Sequence, residues 1–153
     1  MGTHGTILVK ESKTGVILVN VYNQYDSDLF WLGTKLAKFL EGRTITDGMC
    51  ADIRSANGAD DLAAQIVCLL KGDPERAGGV YIIPSKFNLK NAEEYTYIIF
   101  PITKTETLEH WKTGALNKYE SPTGQIAIKV YKYGKIIYDG LADNFSKFID
   151  AQK

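Results

Sequence analysis

The residues best suited to chemistry in this chain gather in one short stretch. Tyr22-Asn23-Gln24-Tyr25-Asp26-Ser27-Asp28 places two phenols, two amides, two carboxylates and a hydroxyl in a row, directly ahead of Leu29-Phe30-Trp31-Leu32-Gly33. The order reads as a strand end, a polar loop and a helix N-terminus. That succession aims backbone N–H groups at one place, which suits an anion or a carbonyl oxygen. Tyr22 and Tyr25 can stack on a planar ring, Asn23 and Gln24 can read its edges, and Asp26 completes the contact loop. The same residues also suit a helix cap and a hydrogen-bonded turn, which form without any ligand. If a small ligand binds, the stretch from Arg43 to Gly58 is the expected second wall, with Asp52 and Arg54 facing the site. Long polar loops inside compact domains are more often functional than short ones.

Covalent chemistry has fewer candidates. The chain holds two cysteines, Cys50 and Cys68, and two histidines, His4 and His110. Cys50 with His110 and either Asp47 or Asp52 supplies the residue types of a thiol nucleophile, its base and an orienting carboxylate. Nothing in their spacing brings them together. Cys68 falls in an apolar helical run and is expected to be buried, whereas Cys50 falls in a loop. Two free thiols in a reducing compartment fit better than a disulfide framework. There is no C-x-x-C or H-x-x-x-H spacing, so no metal and no cofactor are expected. Gly42 to Gly48 lacks the Gly-Lys-Ser/Thr ending of a phosphate loop. Asp60-Asp61 and Glu93-Glu94 are adjacent pairs whose side chains diverge, unlike a general acid and base on one substrate. Gly5-Thr6-Ile7-Leu8-Val9 and the hairpin after it resemble the first strands of N-terminal-nucleophile hydrolases. In those enzymes processing exposes a Thr, Ser or Cys whose own amine is the base. Here Met1 and Gly2 precede Thr3, so a second cleavage is required. A small hydrolase acting through Cys50 or a processed N-terminal residue is the rival to a non-catalytic reading.

A second aromatic group lies near the C-terminus. Tyr119, Tyr131, Tyr133 and Tyr138 are interleaved with Lys118, Lys129, Lys132 and Lys135. Tyr131 and Tyr133 are expected on one strand face beside the Gly134 turn. Three readings stand side by side. The patch suits a nucleotide or single-stranded nucleic acid. Tyr131, Lys132, Tyr133 and Lys135 equally suit an interface between copies of the chain. The lysines also suit the protection of an exposed sheet edge.

The elements around these residues follow from hydrophobic periodicity. Thr6–Lys10 and Val16–Tyr22 form a hairpin across the Ser12-Lys13-Thr14-Gly15 turn. Leu29, Leu32, Leu36, Phe39 and Leu40 repeat at helical steps to Glu41, with Ser27 or Asp28 as N-cap and Gly42 just past the end. A second helix runs from Asp60 to about Lys71, with Leu62, Ile66, Leu69 and Leu70 inward. Strands follow at Val80–Ile83 and Glu94–Phe100, with a polar, β-compatible stretch at Thr103–Thr107. Ser121-Pro122-Thr123-Gly124 reads as a turn. Gln125–Lys132 and Lys135–Tyr138 form a second hairpin, and Leu141, Phe145, Phe148 and Ile149 mark a C-terminal helix. Strands in neighbouring pairs imply an α+β fold: a mainly antiparallel sheet of about five to seven strands with three helices packed on it, in a single domain over residues 1–153.

Met1-Gly2-Thr3-His4-Gly5, together with Tyr22-Asn23-x-x-Asp26-Ser27 ahead of Leu32-Gly33, resembles a small, poorly characterised family. Its members begin Met-Gly-Thr-Arg-Gly and carry Tyr-Asn-x-x-Asp-Ser-Tyr-Pro-x-x-Leu-Gly. Leu62-Ala63-Ala64-Gln65 and Val80-Tyr81-Ile82-Ile83-Pro84 resemble it too. The resemblance covers about the first half of the chain. This sequence departs at His4, where the family has Arg, and at Asp28-Leu29, where it has Tyr-Pro. The resemblance implies a type of domain and no particular reaction.

Composition excludes several classes. At 153 residues, with 44% hydrophobic and 24% charged, the chain is an ordinary globular length and mixture, so disordered and collagen-like classes fall away. Lys+Arg and Asp+Glu are 18 each, a balance that lacks the basic surplus of a broad nucleic-acid binder and favours self-association near neutral pH. No apolar run approaches the ~20 residues that span a bilayer. The first residues lack a basic segment and an apolar segment, so no signal peptide is expected. Gly2 with Thr6 meets the minimal myristoylation pattern, but Thr6–Val9 already reads as a strand and no basic cluster adds a second anchor. The expectation is a non-catalytic cytoplasmic protein that binds a small molecule, assembles with itself, or both, without membrane or nucleic-acid partners.

Overall fold

The structure is a computed structural model and describes residues 2–46, 48, 54–109 and 116–153. The strands are β1 (Gly5–Lys10), β2 (Ile17–Asn23), β3 (Thr44–Thr46), β4 (Ser55–Asn57), β5 (Val80–Ile83), β6 (Tyr95–Glu109), β7 (Leu116–Lys132) and β8 (Lys135–Leu141). The helices are α1 (Thr34–Leu40), α2 (Gly58–Lys71) and α3 (Phe145–Ala151). A six-stranded sheet runs in the order β5-β2-β1-β6-β7-β8. Its pairs are antiparallel except for β1 and β6, which are parallel. The fold is therefore α+β with a mostly antiparallel sheet, as the paired strands imply.

Strand alternation gives the sheet two apolar faces. On one face Ile7, Val9, Val21, Tyr97, Ile99 and Ile128 are buried against Leu36 and Leu40 of α1, Leu62 and Ile66 of α2, and Phe145 and Ile149 of α3. On the other, Leu8, Ile98, Phe100, Ala127 and Tyr131 form a smaller cluster under Phe87 of the β5–β6 connection. The Phe87 and Tyr131 rings lie 5.8 Å apart.

Several elements differ from the sequence expectation. The first helix begins as a π-helical turn, Leu29–Gly33, in which Thr34 N–H donates to the Leu29 carbonyl five residues back. Its N-cap is Asp28. The stretch from Arg43 to Gly58 carries β3 and β4, paired in parallel as a separate two-stranded sheet. Ser121-Pro122-Thr123-Gly124 does not reverse the chain. It lies inside β7, at a register shift where Pro101 faces Ile126 and Thr103 already faces Pro122. Thr123 Oγ1 donates to the Ile102 carbonyl at 2.8 Å across this bulge. Bulges are where a sheet accepts proline, so β6 continues through Pro101 to Glu109 instead of ending there. Cys68 is exposed, because Leu62, Ile66 and Leu70 set the inward face of α2 and position 68 falls on the other side. Leu141 ends β8, and α3 starts only at Phe145.

The β7–β8 turn shows the local rule at work. Tyr133 and Gly134 both take positive φ, 49° and 77°, the two-residue geometry that matches the twist of a hairpin.

The burial pattern sets a stability contrast. Ile128→Ala removes a fully buried side chain and is expected to cost about 2–5 kcal/mol. Ile82→Ala, on a side chain that is 62% exposed, is expected to stay within about 0.5 kcal/mol. Urea unfolding of both variants measures the difference.

Candidate functional site

The loop after β2 is locked to the sheet through Ser27, which is fully buried. Ser27 Oγ donates to the Asn23 carbonyl at 3.0 Å and accepts from Asn23 Nδ2 at 2.8 Å. The same Asn23 amide donates to the Tyr25 carbonyl at 2.6 Å. The Ser27 carbonyl accepts from the buried Tyr97 hydroxyl at 2.9 Å, and Ser27 N–H donates to the Thr3 carbonyl at 3.1 Å. Gly5 must be glycine here, since a Cβ on it would sit 2.6 Å from Ser27 Cβ. The N-terminal motif and the Tyr-Asn-x-x-Asp-Ser motif thus form one packed unit.

This unit fixes one wall of an open cleft of about 350 Å³. Asn23, Tyr25 and Asp26 line it from the loop, with Asp26 held at a φ of 53°, a left-handed conformation that Asp adopts more readily than most residues. Trp31 and Lys35 line it one helical turn apart, and Arg76 and Gly79 line it from the segment before β5. Leu32 and Leu70, both buried, supply its apolar lining. Pairing of Asn23 with Val80, and donation from Gln24 N–H to the Gly79 carbonyl at 2.8 Å, hold that segment beside the loop. The Arg76 guanidinium lies over the Gly79 backbone, where a Cβ would come within 3.0 Å of Nη2. Tyr25 is 57% and Trp31 69% exposed, so much of each aromatic side chain is accessible at the cleft. Among the described residues, neither Lys35 nor Arg76 has an ion-pair partner, and neither side chain makes a hydrogen bond.

Of the seven residues expected around a ligand, Asn23, Tyr25 and Asp26 line the cleft. Gln24 holds the loop by its backbone. Tyr22 points to the other face of the sheet, because neighbouring strand residues alternate. There its hydroxyl is 2.6 Å from His4 Nδ1, and its ring is 6.2 Å from Tyr81. Desolvation, then the Glu93 carboxylate, raises the Tyr22 phenol above its ordinary value. Arg54 is not a second wall. Its guanidinium donates to the Phe39 carbonyl at 3.4 Å and to the Glu41 carbonyl, closing the C-terminal end of α1. Asp52 lies outside the described residues, as do Cys50, His110 and Asp47. Two of the N–H groups expected to meet an anion are already taken, since Asp28 Oδ1 accepts from Phe30 N at 2.9 Å and Trp31 N at 3.1 Å.

The residues expected around a ligand do not include Trp31, Leu32, Lys35, Leu70, Arg76 or Gly79, which also line the cleft. Only the spacing of Trp31 and Lys35 signals a shared helix face. Arg76 and Gly79 arrive by β2–β5 pairing, which no local pattern announces.

The tyrosine–lysine hairpin is divided. Tyr131 is buried at 8% exposure in the smaller cluster, while Tyr133 is 69% exposed and occupies the turn itself. The two rings therefore do not share a strand face. Lys132 Nζ lies 5.5 Å from the Tyr95 ring, and the Glu94 carboxylate raises the Tyr133 phenol. Lys135 is exposed. Among the described residues no group of three or more His, Cys, Asp or Glu is placed to hold a metal ion, and no helix is long and apolar enough to cross a membrane.

Two outcomes test the lock. Gly5→Ala is expected to destabilise the fold by about 1–3 kcal/mol through overlap with Ser27, as read by urea unfolding. Burial, then the Tyr95 phenol and the Asp28 carboxylate, raises the Tyr97 phenol far above its ordinary value. In the unfolded chain that phenol ionises near pH 10. Above that pH the unfolded state binds fewer protons than the folded one, so stability falls as pH rises. Unfolding followed from pH 9 to 11 should show this fall, and Tyr97→Phe should reduce its slope. No family model matches the chain, and no curated protein or solved structure is significantly similar to it, so what the cleft binds must follow from its own geometry.

Proposed function

We propose that the chain is a non-catalytic binding protein that takes a small molecule in the cleft at the end of β2. One observation carries the reading: a cleft of about 350 Å³ where a hydrogen-bonded loop and two exposed aromatic side chains meet two cations that have no ion-pair partner among the described residues. That volume lies at the lower end of ordinary ligand pockets, roughly 300–1,000 Å³. The loop side is already held by hydrogen bonds through Ser27 and Asn23, so little ordering is left to offset binding. A cytoplasmic setting belongs to the same proposal, supported by the exposed free thiol of Cys68, which a reducing compartment preserves. Native mass spectrometry of freshly purified protein is the test. A retained small mass that is lost in Trp31→Ala supports the reading. No retained mass, with no small molecule raising the melting temperature, overturns it.

Self-assembly is a second reading, and the sheet edges favour it. β5 is a terminal strand of the sheet with Tyr81 47% and Ile82 62% exposed, and β8 is the other, with Ile136 53% exposed. Such edges pair readily with a second chain. Sedimentation of the wild type as an oligomer, and of Ile82→Lys as a monomer, is the expected result.

A further inference from the structure

We infer that the ligand of the cleft is an organic anion built on a planar ring that also carries a hydroxyl or amino donor. This inference rests on the small-molecule reading of the same cleft. Three features of the lining carry it. Lys35 and Arg76 enter from different elements, one from α1 and one from the segment before β5. Neither has an ion-pair partner among the described residues. A chain with 18 acidic and 18 basic side chains has enough carboxylates to neutralise such a pair, yet among the described residues Asp26 alone of them lines the cleft. The cleft therefore keeps one net positive charge, and an anion supplies the missing partner. Arg presents a planar fork matched to a carboxylate or phosphate, and Lys adds a point charge.

The second feature is the pair of exposed rings. Trp31 and Tyr25 leave large aromatic side chains exposed in a cleft that Leu32 and Leu70 also line. A planar ring covers those side chains and stacks on them. An aliphatic anion leaves them wet. The third is Asp26, whose carboxylate is exposed in the same cleft and only accepts hydrogen bonds. With no donor, a ligand anion would meet a like charge there. With a hydroxyl or amino group facing Asp26, the same carboxylate selects for the ligand. Nucleoside monophosphates and hydroxylated aromatic acids share this chemistry.

Calorimetric titration separates the sources and the premises. The probes are AMP, adenosine, inorganic phosphate, 4-hydroxyphenylacetate and its uncharged alcohol, 4-hydroxyphenylethanol. The proteins are the wild type, Trp31→Ala and the double variant Lys35→Gln with Arg76→Gln. All three substitutions are on exposed side chains, and circular dichroism verifies the folding of each variant. AMP or 4-hydroxyphenylacetate is expected to bind the wild type about tenfold or more tightly than its uncharged counterpart and than phosphate. The double variant should lose that margin, and Trp31→Ala should weaken both members of a pair. Preference for AMP identifies a phosphate-bearing source, and preference for the phenol acid a carboxylate-bearing one. Equal binding of charged and uncharged probes, unchanged in the double variant but lost in Trp31→Ala, overturns the anion and leaves the cleft reading intact. Failure of every anionic ring to bind at millimolar concentration, while native mass spectrometry still finds a mass dependent on Trp31, has the same meaning. Failure of all probes with no retained mass overturns both.

Discussion

A single buried hydroxyl ties the site to the sheet. Ser27 Oγ both donates to and accepts from Asn23, and the Ser27 carbonyl is held by the Tyr97 hydroxyl on β6. Ser27 and Tyr97 are out of water, so each would be costly if left without its partner. The arrangement joins the end of β2 to the centre of the sheet and requires the close passage of Gly5. It also sets where α1 starts, because Asp28 follows Ser27 directly and caps the π-helical turn. The positions of Trp31 and Lys35 descend from that start. Without the lock, the two motifs of the N-terminal half would be separate turns, and the cleft would lose a wall.

The cleft gains its charge from elsewhere in the chain. Helix N-termini attract anions through unpaired N–H groups. Here Asp28 occupies two of those groups, and Lys35 and Arg76 bring side-chain charge to the cleft. Arg76 is carried to the loop by the antiparallel pairing of β5 with β2 and by the hydrogen bond between Gln24 and Gly79. Lys71 of α2 adds a bond to the Gly78 carbonyl at 3.2 Å, which fixes the same segment from the helix side. A strand pairing, a helix end and a capped turn thus converge on one place.

The sheet has work on both faces. The helices cover the face of Ile7, Ile99 and Ile128, where most of the buried apolar area lies. The opposite face is closed over Leu8, Ile98 and Phe100 partly by Phe87. Asn20 holds that covering segment, donating to the Pro84 and Lys86 carbonyls at 3.1 and 3.0 Å. Tyr131 is consumed by this second cluster, which leaves Tyr133 alone at the hairpin tip.

What the residues decided on their own is local. Apolar spacing placed all three helices and their inward faces, as Leu36, Ile66 and Phe145 show. Alternation in Ile126–Tyr131 assigned Ile128 and Val130 to one face and Ala127 and Tyr131 to the other, and Asp28 and Gly42 marked the limits of the first helix. The loop wall of the cleft was legible because Asn23, Tyr25 and Asp26 are neighbours in one polar loop. The opposite wall was not, because Arg76 and Gly79 reach it through strand pairing across more than fifty residues. The parallel contact of β1 with β6 was hidden for the same reason: pairing depends on which edges meet, and alternation within a strand does not encode its neighbour. The bulge at Pro122–Gly124 looked like a reversal, since proline and glycine serve both purposes and only the opposing strand distinguishes them. Local order follows from the periodicity of the backbone. The site follows from contacts that form only when the sheet closes.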